Sequence, residues 1–189
     1  MARVLDRGAI FAGWVGLGMA VVMAIGLELI VAVQSLVFLV APLAGLLIGS
    51  YANARSARRR PWGRVLANAA WAGLVTALSL AILYGGVRLI FVYADSGYRD
   101  GPQGGPLVCR TGPECSYLRY LGAGKGPELE RAGVADAAAF ERLVLQEQLN
   151  GALTIAALVI GGAMAGGLLY GAAGPRVGEG AARDPASVA

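Results

Sequence analysis

The chain reads as an all-α integral membrane protein, a four-helix transmembrane bundle with an extracytoplasmic loop between helices 3 and 4. Three observations predict this: four long apolar stretches, a low share of charge, and basic residues gathered on one side of those stretches. Gly8–Val33, Leu36–Ala52, Val65–Val87 and Gly151–Gly174 fill about half of the 189 residues. A helix needs roughly 20 residues to cross a hydrocarbon core of ~30 Å. Three stretches exceed that length, and the second, with 17 residues, sits at the lower limit. The runs are continuous rather than alternating, which excludes a β-barrel and leaves helices as the structure that satisfies its own backbone in lipid. Charged residues make up 15% of the chain, against about 25% in soluble domains.

The first span follows Arg3 and Arg7, as a secretory signal would, but it runs too long and lacks a small-x-small cleavage site, so an uncleaved signal anchor is expected. Between the first two spans only Gln34 and Ser35 break the apolar run, with Glu28 shortly before them. One helix through all of it would not fit in a bilayer, which predicts a tight hairpin with its tip within residues 28–35. Residues 1–94 thus hold helices 1–3 and an Arg-rich loop at 53–64. Residues 149–174 form helix 4, and the Gly-, Ala- and Pro-rich segment 175–189 reads as a disordered tail.

Segments 1–7, 53–64 and 175–189 carry nine arginines in 34 residues, whereas 95–148 carries six basic residues in 54. The positive-inside rule places the first set in the cytoplasm, so the expected location is the cell membrane, with both termini inside and loop 95–148 outside. Trp14, Tyr51, Trp62 and Tyr170 then fall near the inner interface, and Tyr93 and Tyr98 near the outer one.

Within the outer loop, Asp95–Gly126 is dense in Gly and Pro, which predicts turns and irregular structure. A helix is expected near 134–149, where Phe140, Leu143 and Val144 recur at helical spacing and Asp136 can cap the start. Only Asn150-Gly151 separates it from the fourth span, so the two are expected to run on as one helix. Cys109 and Cys115 share this loop in an oxidising compartment, which predicts a structural disulfide; a redox-active pair is the functional alternative. The layout resembles that of quinone-linked disulfide-forming membrane oxidases. Those enzymes need a second cysteine pair near the membrane, and no cysteine lies outside this loop. Tetraspanins share a small first and large second outer loop, but their Cys-Cys-Gly signature is absent, and neither family is assigned.

Rows of small residues mark the faces expected to pack. Ala12, Gly16, Ala20 and Ala24 recur on the first span, Ala69, Gly73, Ala77, Ala81 and Gly85 on the third, and Gly162/Gly166 and Gly167/Gly171 on the fourth. Four residues beyond the first row stands Glu28, and three beyond the second stands Arg88. Their matching depths predict an intramembrane ion pair joining helices 1 and 3, which offsets part of the cost of charge in lipid. The basic cluster Arg55, Arg58, Arg59, Arg60 and Arg64 faces lipid headgroups, fixes topology and attracts anionic lipid.

Histidine is absent from the chain. That excludes Ser-His-Asp and Cys-His sites, histidine-ligated haem and the HExxH zinc site. Lys125, the single lysine, sits in a Gly-rich loop, and no phosphate-cradling GxxxxGK[ST] occurs. No catalytic, cofactor or metal site is therefore expected, and the twelve-residue inner loop leaves no room for a nucleic-acid-reading module. The sequence supports a non-catalytic accessory, scaffold or assembly subunit of a larger membrane complex. Its expected partners are the lipid bilayer and other membrane subunits or further copies of itself. The alternative is a homo-oligomeric small-ion or small-solute carrier or channel using Glu28.

Overall fold

The computed structural model describes residues 5–30, 35–56, 61–94, 109 and 111–174, without the side chains of residues 28–30 and 91. The regular structure among these residues is all helical: α1 (Arg7–Met23), a π-helical segment (Ala24–Ile30), α2 (Leu36–Ala54), α3 (Trp62–Tyr93), α4 (Pro113–Gly122), α5 (Gly126–Arg131) and α6 (Ala137–Ala173). Four of the helices are long and apolar enough to cross a membrane, over Arg7–Leu27, Leu36–Ala54, Trp62–Ile90 and Ala137–Ala173. The second is longer than its apolar run because Asn53 continues the helix with its carboxamide buried.

Contacts along the helices set an up-down-up-down order. Gly8 lies against Arg55 and Gly16 against Ile48, so α1 and α2 are antiparallel. The α1 end at Asp6 meets Asn68, and Gly16 meets Thr76, so α1 and α3 run parallel. Gly45 and Gly49 lie against Val159 and Ala163, making α2 and α6 parallel, while Gly151 against Tyr84 makes α3 and α6 antiparallel. The middle of the bundle is formed by α2 and α3, with α1 and α6 packed on them from either side. Helical backbone persists through Ile30 and resumes at Leu36; residues 31–34, within the stretch expected to hold the hairpin tip, lie outside the described residues.

The tightest seam joins α2 to α6. A Cβ on Gly45 or Gly49 would overlap the carbonyl oxygens of Val159 and Ala163, and one on Gly162 or Gly166 those of Pro42 and Leu46. Two Gly-x-x-x-Gly pairs thus face each other and bring the backbones together, which is how helices associate where no hydrophobic drive acts between them. The approach also suits Cα–H···O contacts, each worth about 0.5–1 kcal/mol. Ser50 Oγ closes the seam by donating to the Gly166 carbonyl at 3.1 Å. The small-residue row of the first helix lies inward as well, with Ala12 and Ala20 fully buried, and that of the third does so at Ala69, Gly73 and Ala77 but not at Ala81 and Gly85, where a Cβ on Gly85 would meet nothing within 4 Å.

At one end, the base, α1 and α3 begin while α2 and α6 finish. Past the other end α6 extends back to Ala137, and α4 and α5 pack against that extension as a headpiece, with α4 also touching the end of α3. Helix α4 lies within the stretch where Gly and Pro density predicts turns. Pro113 occupies the first position of that helix, where its missing N–H is harmless and its fixed φ is already helical. Gly124 (φ 76°) and Gly133 (φ 72°) end α4 and α5 in the left-handed conformation that glycine adopts without strain. In each case the next residue's N–H reaches five residues back, Lys125 to Tyr120 and Val134 to Leu129. Segment 95–108 and the tail 175–189 lie outside the described residues.

Candidate functional site

Polar side chains inside the bundle are where a transport path or catalytic site would show itself. Asn53 and Asn68 are fully buried. Asn53 Nδ2 donates to the carbonyls of Gly49 (3.1 Å) and Val65 (3.0 Å), fastening the end of α2 to the start of α3. Asn68 makes a two-way clamp with the α1 start: its Nδ2 donates to Asp6 Oδ2 at 3.0 Å, and the Asp6 N–H donates to its Oδ1 at 3.2 Å. Thr76 and Ser79 donate to the carbonyls of Ala72 and Val75, four residues back on their own helix. Each of these polar groups is engaged by the protein itself.

The upper end is built around Tyr84, Arg88 and Gln148. Tyr84 is buried, with its ring edge-on to Phe38 at 5.9 Å and against Gly151, where a Cβ would come within 2.9 Å of the phenol. The Arg88 guanidinium lies over that ring at 4.9 Å, within range of a cation–π interaction. The pairings of Tyr84 with Gly151 and of Tyr93 with Glu141 set Arg88 level with Gln148 across the α3–α6 interface. Gln148 Oε1 is shielded from solvent and accepts no hydrogen bond from the described residues. Arg88 stands 26 residues along α3 from Trp62, or ~39 Å at 1.5 Å per residue. The side chain of Glu28, the other half of the predicted ion pair, lies outside the described residues. Its backbone belongs to the π-helical segment, which packs against α3. Carried along the chain, the α1–α3 offset of 62 between Asp6 and Asn68 brings position 28 close to the level of Arg88.

The headpiece has its own small core. Leu129, Val134 and Phe140 are buried, and the rings of Tyr117 and Tyr120 pack on Phe140 at 5.8 and 5.1 Å. Asp136 accepts from the Ala139 N–H at 2.7 Å and so caps α6, which then runs unbroken through Asn150-Gly151 to Ala173. Two bonds tie the headpiece to the top of α3: Tyr93 Oη donates to the Glu141 carboxylate, and Ser116 Oγ donates to the Val92 carbonyl at 3.4 Å. Donation to a carboxylate, with a smaller effect of burial, raises the Tyr93 hydroxyl above its ordinary pKa. Cys109 and Cys115 stand at disulfide distance, their Cα atoms 5.5 Å apart, within the usual span of a bridge. Cys115 is buried at the third position of α4, so a bridge there anchors the start of that helix.

Of the predicted basic cluster, Arg55 and Arg64 stand at the base, and Arg58, Arg59 and Arg60 lie outside the described residues. No group of three or more His, Cys, Asp or Glu suited to a metal ion occurs among the described residues. Sequence reasoning passed over three features: the Gly45/Gly49 pair, Asn53 and the Asp6–Asn68 clamp. The first was readable as Gly-x-x-x-Gly inside an apolar run. The other two required knowing which helices are neighbours. Comparison of the chain with family models, curated proteins and solved structures finds no match.

Proposed function

We propose that the protein is a non-catalytic accessory, scaffold or assembly subunit of a larger membrane complex, lying in the cell membrane with its base in the cytoplasm and its headpiece outside. The observation that carries this reading is the set of apolar side chains left open on the headpiece side. Counting about 20 helical residues from Ala173 up α6 brings the hydrocarbon boundary to about Thr154. Beyond it, Leu145 (42% exposed) and Leu149 (60%) continue a row on α6, and Leu118 and Leu121 are open on α4. Single exposed leucines need no explanation, but a contiguous apolar row outside hydrocarbon fits a protein contact. Asn53, Asn68, Thr76 and Ser79 add support, because they bind the protein's own backbone and Asp6 rather than lining a path.

The test is purification in mild detergent followed by mass analysis of what accompanies the chain. Another membrane subunit in fixed stoichiometry, lost on Leu118→Asp or Leu145→Asp, is the expected result. A chain that purifies alone, or whose companions are indifferent to both substitutions, overturns the reading. A second reading, a homo-oligomeric carrier using Glu28, draws support from the π-helical backbone that holds this residue, since such segments concentrate at functional sites. It requires a homogeneous oligomer whose ion flux in vesicles is lost in Glu28→Gln.

A further inference from the structure

The base of the α1–α2 hairpin combines two exposed arginines with an aromatic shelf and an apolar track. Gly8 has no side chain to hold the helices apart, and its Cα packs directly on the Arg55 carbonyl. That approach sets Arg7, the first residue of α1, beside Arg55 at the end of α2, and both are exposed. Arg55 does not stretch away from the bundle. Its Nε donates to the Tyr51 hydroxyl at 3.2 Å, and its guanidinium lies 5.7 Å from the Tyr51 ring and 6.0 Å from that of Phe11. The charge is therefore held one helical turn back toward the apolar zone, between rings of two helices. Its remaining donors take no partner among the described residues. The Asp6 carboxylate, one residue before Arg7, is engaged by Asn68.

Leading away from Tyr51 along α2, Leu47, Leu43 and Leu39 follow at four-residue intervals, each more than half exposed. The row from Tyr51 to Leu39 covers twelve residues, ~18 Å, close to the ~15 Å of one leaflet of hydrocarbon. Paired guanidiniums match a phosphate diester, and a leucine row one leaflet long matches an acyl chain.

We propose that this site binds one anionic phospholipid of the leaflet at the base, its phosphate held by Arg7 and Arg55 and a chain lying along Leu47, Leu43 and Leu39. The inference rests on the helices lying in a bilayer and is independent of the accessory role. It differs from general attraction of a basic loop, because Arg7 belongs to a different segment and the aromatic shelf fixes the depth of the charge.

The test is native mass spectrometry of the detergent-purified chain with added phosphatidylglycerol or phosphatidylcholine. One phosphatidylglycerol is retained in preference to phosphatidylcholine. Arg55→Gln and Arg7→Gln each weaken that retention about fivefold, the equivalent of about 1 kcal/mol per basic residue, and Arg142→Gln on the headpiece leaves it unchanged. Should Arg55→Gln fail to fold, Arg55→Lys carries the test by keeping charge while losing the planar fork, so that the preference falls part-way. Equal retention of both lipids, unchanged retention in the base variants, or full displacement by equimolar inorganic phosphate overturns the proposal. A chain that stays in solution without detergent instead removes the bilayer reading, a distinct outcome.

Discussion

The α2–α6 seam and the headpiece are held together in opposite ways. In the seam, glycines remove side chains until the backbones meet, and carbonyl oxygens occupy the space where Cβ atoms would be. In the headpiece, large rings do the packing: Tyr117 and Tyr120 close over Phe140. The difference follows from the solvent each is suited to. Ring burial is rewarded where water is the alternative, whereas in hydrocarbon close backbone approach is what remains to favour one helix neighbour over another. The seam therefore tolerates no added volume and the headpiece tolerates no lost volume.

Four substitutions test that contrast. The largest effect is expected for Gly49→Leu, which drives a side chain into the α6 backbone; overpacking of this kind costs typically 1–3 kcal/mol or more, and at a backbone contact the upper end applies. Loss of the detergent-resistant fold, read by thermal melting, checks it, and a melting point equal to wild type would break the account of the seam. Phe140→Ala should cost about 3 kcal/mol, but locally: hydrogen exchange should quicken in α4 and α5 while α2 stays protected. Uniform quickening through the bundle would show that headpiece and seam are one unit. Asn68→Leu strands the Asp6 carboxylate and N–H, at about 1–3 kcal/mol for the groups left without partners, and should free the start of α1 without disturbing the headpiece.

The smallest effect belongs to Tyr93. Its hydroxyl has a raised pKa because it donates to Glu141, so the contribution is complete below the unfolded tyrosine value of about 10 and fades as pH climbs through the higher folded value. Headpiece docking, followed by exchange at Val92 and Tyr93, should loosen above that pH in the wild type. In Tyr93→Phe it should be slightly looser throughout and lack the alkaline step.

The four long helices were legible because continuous apolar runs of this length have few other solutions. The start and continuity of α6 were legible too, since Asp136 is a strong N-cap and Asn150-Gly151 lacks any residue that forbids helix. Helix α4 was hidden because Gly and Pro carry two meanings. Gly112-Pro113 reads as a turn, yet proline at the first helical position also starts a helix, and local composition does not separate the two. The π-helical backbone at Ala24–Ile30 leaves no periodic trace in seven residues. Asn53 and Asn68 appeared as scattered polar residues in apolar runs, and their roles became visible only with their partners, Val65 and Asp6, set beside them. The same limit applies at Arg55, whose sequence neighbours suggest only a charged loop, whereas its spatial neighbours are two rings.

The pairing of α2 with α6 also sets a timetable for biosynthesis. Ser50 and Gly166, which bond across it, are separated by 116 positions in the chain. At the ribosome's pace of about 5–20 residues per second, roughly 6 to 23 seconds pass between the emergence of one and of the other. Throughout that interval the nascent α2 presents a bare glycine groove with no mate of its own. Closure waits for the last helix to be delivered, so a transcript truncated before Gly151 yields a fragment with three spans and that groove still open to whatever protein lies beside it.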